Sequence, residues 1–300
     1  MENQRENPKK VPLPASFGKR FWYLWGPLVI KWLISTAVSS AVMMAYVAAY
    51  AAKHQEEFMK IYGSQESMIQ FTMDSTEKLM PFLTQIEGVA AAITIPIMLF
   101  MFFQDRKRER YFGIPKAKKA PLYKYVGIFV IASALCVGFN NLVNIGNLSR
   151  MSETYQQTSE SFYSAGFELQ ILCLGILIPI AEELVFRGLI FRRIRTATNF
   201  MQACLLSAVV FGAFHGNMIQ MMYGVLMGLL FAYVYEKYGS LKAPIFAHMT
   251  VNILSVVATE FKFFEWLMED ILRVGIVTVL CGTISATVFV IMQRMESQPE

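Results

Sequence analysis

Eight apolar runs, at 21–50, 88–103, 123–145, 166–191, 200–214, 219–235, 243–258 and 271–292, decide what this chain can fold into. A segment crossing the hydrocarbon core of a bilayer needs about 20 mainly apolar residues, and its backbone has to satisfy its own hydrogen bonds there. The runs therefore predict an all-α fold, a polytopic membrane helix bundle of about eight transmembrane helices. Of the 300 residues 55% are apolar and 16% charged, too little polar side chain to coat a soluble globule of this size. The 19 Met and 24 Phe fit the same reading, since they fill interhelical and lipid-facing space without polar atoms that need partners.

Charge sets the expected orientation. Short loops rich in Lys and Arg stay cytoplasmic. The N-terminal stretch, 104–121, 192–199, 236–242 and the C-terminal tail hold 18 Lys and Arg, against five in 51–80, 146–163 and 259–270. An even number of spans in the cell membrane with both termini cytoplasmic satisfies every loop. The expected organisation is a cytoplasmic N-terminal tail at 1–20, a single membrane domain at 21–292 and a cytoplasmic tail at 293–300. The net charge of +5 comes from residues beside hydrophobic segments, so it argues for membrane lipid as the partner and against nucleic acid. The first run is too long for a signal peptide and carries Lys31. Cys136, Cys173, Cys204 and Cys281 all fall inside apolar runs without a CxxC pair and read as small core hydrophobes.

Ionisable residues inside a membrane are costly, about 2.5–3.5 kcal/mol each near the centre, so they pair, line a wet cavity or act. The fourth run holds Glu182, Glu183 and Arg187 in Ile178-Pro179-Ile180-Ala181-Glu182-Glu183-Leu184-Val185-Phe186-Arg187. Glu183 and Arg187, four apart on one helical face, are expected to form an ion pair, while Glu182 points about 100° away and is left unpaired. The fifth run ends in Phe211-Gly212-Ala213-Phe214-His215, and the seventh holds His248-Met249-Thr250-Val251-Asn252. At 1.5 Å of rise per residue, Glu182, His215 and His248 lie about 15, 24 and 9 Å from the basic side, depths that allow one shared chamber.

The ordered set Glu182-Glu183-x-x-x-Arg187, Phe211-x-x-x-His215 and His248-x-x-x-Asn252, each on an apolar helix, resembles the three motifs of the CPBP family, which takes in CAAX prenyl endopeptidases and bacteriocin-processing or immunity proteins. The resemblance covers 166–258, with Pro244 also in the context of the third motif, and makes that stretch the expected catalytic core. It implies an intramembrane endopeptidase in which Glu182 and His215 activate a water, His248 and Asn252 stabilise the oxyanion, and Glu183 and Arg187 support them from behind. No cofactor is then needed. The same types of residue also make a zinc set, Glu182, His215 and His248, although HExxH is absent. The substrate class implied is a peptide or membrane protein, with bacteriocin processing as one variant. Two other classes share these residues: a non-catalytic immunity or scaffold membrane protein, and a proton-coupled transporter using them as a relay. The clustering of ionisable groups in one half of the chain, without paired inverted repeats, speaks against transport.

Overall fold

The computed structural model describes residues 11–294; the tail readings at 1–10 and 295–300 lie outside the described residues. Of the described residues 86% are helical and none is in a strand, so the fold is the all-α polytopic bundle the apolar runs imply. The elements are α1 (Phe17–Lys53), α2 (Gln55–Tyr62), α3 (Gln65–Leu79), α4 (Leu83–Tyr111), α5 (Tyr125–Ile145), α6 (Glu153–Tyr163), α7 (Phe167–Arg195), α8 (Phe200–Ala213), α9 (Met218–Tyr238), α10 (Lys242–Glu260) and α11 (Ile271–Arg294). Helix α1 starts at Phe17, capped by the Ser16 hydroxyl, so residues 17–20 are helical. At the other end α11 runs to Arg294.

All eight apolar runs fold as helices, but six helical stretches are long and apolar enough to cross a membrane. The other two runs fall short for different reasons. Helix α8 has 14 residues, about 21 Å, against a core about 30 Å thick. It stops because Gly216 takes φ +77° and the side chain of Asn217 caps α9 by accepting from the Gln220 N–H at 2.9 Å. Helix α10 has the length, 19 residues, but is diluted by His248, Thr250, Asn252 and Ser255.

Helix α7 is the centre of the bundle, touching α1, α4, α8, α9 and α10, and every residue from Leu184 to Phe191 is buried. It is wound unevenly. Two wider π-helical stretches, Ile171–Leu177 and Leu184–Phe191, flank an α-helical segment, Ile178–Glu183, that carries Pro179 and both glutamates. Proline has no N–H to give the preceding turn, and π stretches concentrate at functional sites. Small residues let the neighbouring helices close in, as is usual in membranes. At Gly212 of α8 a Cβ would lie 2.7 Å from the Met221 carbonyl oxygen and 2.9 Å from the Val225 nitrogen of α9, so only glycine permits this approach.

The basic ends of the helices are tied by ion pairs: Arg193 to Asp105 at 2.6 Å, Arg192 to Glu109 at 3.1 Å and Arg195 to Glu236 at 2.8 Å. This basic face joins α4, α7 and α9, and the acidic or neutral connections lie at the opposite end. If lysine and arginine bias orients the bundle, a cysteine at exposed Lys118 reacts with an impermeant reagent only from the cytoplasmic side, and one at exposed Gln70 only from outside. The reverse pattern in intact cells would invert the assignment.

Candidate active site

A cavity of about 570 Å³ opens between α1, α4, α7, α9 and α10, and Lys31, Glu87, Glu182, His215, His248 and Asn252 all line it. Helix α6 covers the end away from the basic face, with Tyr155, Phe162 and Tyr163 in the wall and the Tyr163 hydroxyl 3.2 Å from Ser255 Oγ. The four residues singled out for chemistry by their intramembrane position are thus brought to one chamber.

Glu183 and Arg187 form the expected pair, with Arg187 Nη1 donating to Glu183 Oε1 at 2.9 Å and both side chains fully buried. Three further contacts hold the guanidinium. Nη2 donates to the Gly228 carbonyl at 3.1 Å, and the group lies over Phe211 at 4.3 Å and Phe231 at 5.2 Å from the ring centroids. Glu183 also reaches where its spacing along α7 could not show: Oε1 accepts from His248 Nδ1 at 3.0 Å. A carboxylate oxygen only accepts, so the proton sits on Nδ1 and Nε2 is the atom turned to the cavity, 3.9 Å from Glu182 Oε2. The Phe231 ring stacks on the imidazole at 4.8 Å and fixes its plane.

His215 is oriented by the same logic. Its Nδ1 lies 2.8 Å from the Phe211 carbonyl, which makes Nδ1 the donor and leaves Nε2 as the acceptor of a neutral ring. Its position corrects the sequence reading: His215 lies just beyond α8, in the turn leading to α9, rather than on a helix. Phe211 therefore has three tasks: its carbonyl sets the tautomer of His215, and its ring packs against Arg187 and against His248 at 5.7 Å.

Glu182 is not unpaired. Lys31 Nζ of α1 lies 3.6 Å from its Oε1. Sequence reasoning noted Lys31 only as an argument against a signal peptide; a lone charge inside the run 21–50 was the available signal for a partner on another helix. Glu87, which accepts from Ser35 Oγ at 3.2 Å, sits at the edge of its run and gave no such signal. Asn252 donates from Nδ2 to the Leu174 carbonyl at 2.9 Å, clamping α10 to the first π-helical stretch of α7. A carboxamide has two N–H donors, so one remains for the chamber.

Among the described residues no three His, Cys, Asp or Glu side chains are grouped to hold a metal ion. The zinc set Glu182, His215 and His248 has one nitrogen of each ring already engaged, His215 Nδ1 with Phe211 and His248 Nδ1 with Glu183, and each Nε2 keeps a lone pair that could face a metal.

Residues 164–254 match the family model described as "Type II CAAX prenyl endopeptidase Rce1-like". That span contains all seven motif residues from Glu182 to Asn252. The chain is 29% identical over 136 residues to "Putative membrane peptidase YdiL" of Bacillus subtilis (strain 168), covering 45% of this chain and 55% of that protein. It is 34% identical over 91 residues to "UPF0177 protein YxdF" of Lactococcus lactis subsp. lactis (strain IL1403), covering 29% of this chain and 50% of that protein. The chain thus spans about half the length of the curated relatives it matches. No solved structure matches.

Proposed function

Because this chain belongs to the CPBP family through the stretch 164–254, we propose that it is an intramembrane endopeptidase whose working parts are the side chains around the α7 chamber. The observation that carries the reading is the shared cavity: Glu182, His215, His248 and Asn252 line one space while Glu183 and Arg187 stand behind them, out of contact with it.

Among the acceptors lining the chamber, Glu182 and His215 Nε2 are the pair assigned to the water. A water held between them loses its proton to Glu182 as its oxygen attacks a peptide carbonyl, and the tetrahedral oxyanion forms on the α10 side. There the free N–H of Asn252 can donate, and so can His248 through Nε2 once that atom carries a proton. The proton on Glu182 then passes to the departing amine, and the C–N bond breaks. Lys31 at 3.6 Å and His248 Nε2 at 3.9 Å stand within ion-pair reach of Glu182 but beyond direct hydrogen bonds to it. Glu183 fixes the plane of His248 with Nε2 turned to the chamber, which extends the support expected of it from Arg187 to the histidine. The chemistry needs no cofactor.

The proposed substrate is a peptide or membrane protein held in the bilayer, with bacteriocins and their leaders one such class. The protein would act in the cell membrane with both termini cytoplasmic. Reconstitution with a set of membrane-embedded peptides tests the reading. Wild-type protein is expected to generate new termini, and His215→Ala to slow their appearance by about 10²-fold or more while folding normally. Unchanged cleavage by His215→Ala removes it from the reaction. Proton uptake without cleavage would favour transport.

A further inference from the structure

We propose that a second, larger cavity on the basic face is a binding site for an anionic phospholipid. It encloses about 1250 Å³ between the end of α4, the 113–121 segment, the end of α7 and the turn joining α9 to α10. That exceeds the ~300–1,000 Å³ usual for small-ligand pockets, so a large amphiphile fits it better than a free anion.

Its rim is cationic beyond what the protein neutralises. Arg106 and Arg192 share Glu109, and Arg195 pairs with Glu236. Arg110, Lys116, Lys119 and Lys242 also line the cavity, with no acidic partner among the described residues. The rim is also built rather than loose. Ala120 N–H donates to the Tyr238 carbonyl at 3.0 Å, and the Tyr238 hydroxyl donates to the Lys124 carbonyl at 3.0 Å, pinning the 113–121 segment against α9. Arg106 Nε is buried without an acceptor.

The floor has the opposite chemistry. Phe102, Phe103, Leu184 and Ile245 line it, and Phe103 is 61% exposed, so the apolar side opens laterally. From there Phe100, Ile97 and Ile93 continue as an exposed stripe down α4 at helical spacing. Unpaired cations at the level of the helix ends, above an apolar track running toward the membrane centre, match a phosphate headgroup with its acyl chain. Basic pockets between helices on the cytoplasmic side are a recurring form of lipid recognition. This site is separate from the chamber and stands whether or not the chain is a peptidase.

The test is titration of the purified full-length protein in phosphatidylcholine nanodiscs with phosphatidylglycerol, followed by melting temperature and by retained lipid in native mass spectrometry. Phosphatidylglycerol is expected to raise the melting temperature and to remain bound. Lys116→Ala with Lys119→Ala, both exposed, should weaken the effect by about fivefold per charge, while the control pair Lys107→Ala with Lys118→Ala, exposed on the same face but outside the cavity, should leave it in place. Equal loss in both pairs would reduce the effect to diffuse surface charge and overturn the site. So would equal stabilisation by phosphatidylcholine alone. Inorganic phosphate protecting as well as the lipid would make the ligand a soluble anion instead.

Discussion

Arg187→Ala is expected to leave little folded protein, with the loss appearing in thermal melting and size-exclusion profiles before any assay of turnover. The guanidinium is fully buried and provides the cation for Glu183, which is itself 0% exposed. Breaking a buried pair by removing one partner typically costs about 3–5 kcal/mol, because the other charge stays behind in a low-dielectric site. Here the loss spreads further. Phe211 and Phe231 lose the group they enclose, the Gly228 carbonyl loses its donor, and His248 loses the fixed carboxylate that orients it. Glu183 Oε2 and Arg187 Nε already lack hydrogen-bond partners, so the pair is not an optimised staple in its own right. Removing both charges in Glu183→Gln with Arg187→Met should therefore restore much of the stability lost by Arg187→Ala, while leaving His248 loosely held. Wild-type melting of Arg187→Ala would show that the pair is dispensable for the fold.

Glu182→Gln is expected to do the reverse: a normal melting temperature and a loss of turnover of about 10²–10⁴-fold, the usual contribution of a positioned base. The side chain keeps its size and faces the chamber rather than the core, and it has no hydrogen bond that holds two helices together. Lys31 would lose its carboxylate neighbour, but the cavity wall also contains Glu87. Single-turnover rates with saturating peptide separate this loss from weaker binding. The zinc alternative divides from the metal-free one in the same preparation. Activity that persists through chelation goes with Glu182 as the base, whereas stoichiometric zinc and loss of activity on chelation would make Glu182, His215 and His248 ligands.

What the sequence showed of this fold was its one-dimensional part. Apolar runs give helices because lipid leaves the backbone no other partner, and the spacing of Glu183 and Arg187 gives an ion pair because residues four apart share a face. The contacts across helices were not legible. Glu183 meeting His248, and Lys31 meeting Glu182, depend on how α1 and α10 rotate against α7, which close helix packing decides. Asn252 shows the same limit. Its Nδ2 is partly committed to the Leu174 carbonyl, within a π-helical stretch whose unusual winding has no periodicity signature. The end of α8 was readable in principle from Gly216-Asn217, a left-handed residue followed by a cap, and the apolar run to Phe214 obscured it.

The most direct test compares new protein termini in membranes of cells expressing wild-type protein with those in cells expressing Glu182→Gln at equal level, labelled during lysis-free incubation in H₂¹⁸O. Hydrolysis through Glu182 requires peptide C-termini that carry ¹⁸O in the wild-type sample and are absent with Glu182→Gln. The same labelled termini at the same abundance in both samples would contradict a catalytic role for Glu182 and return the chamber to a non-enzymatic one.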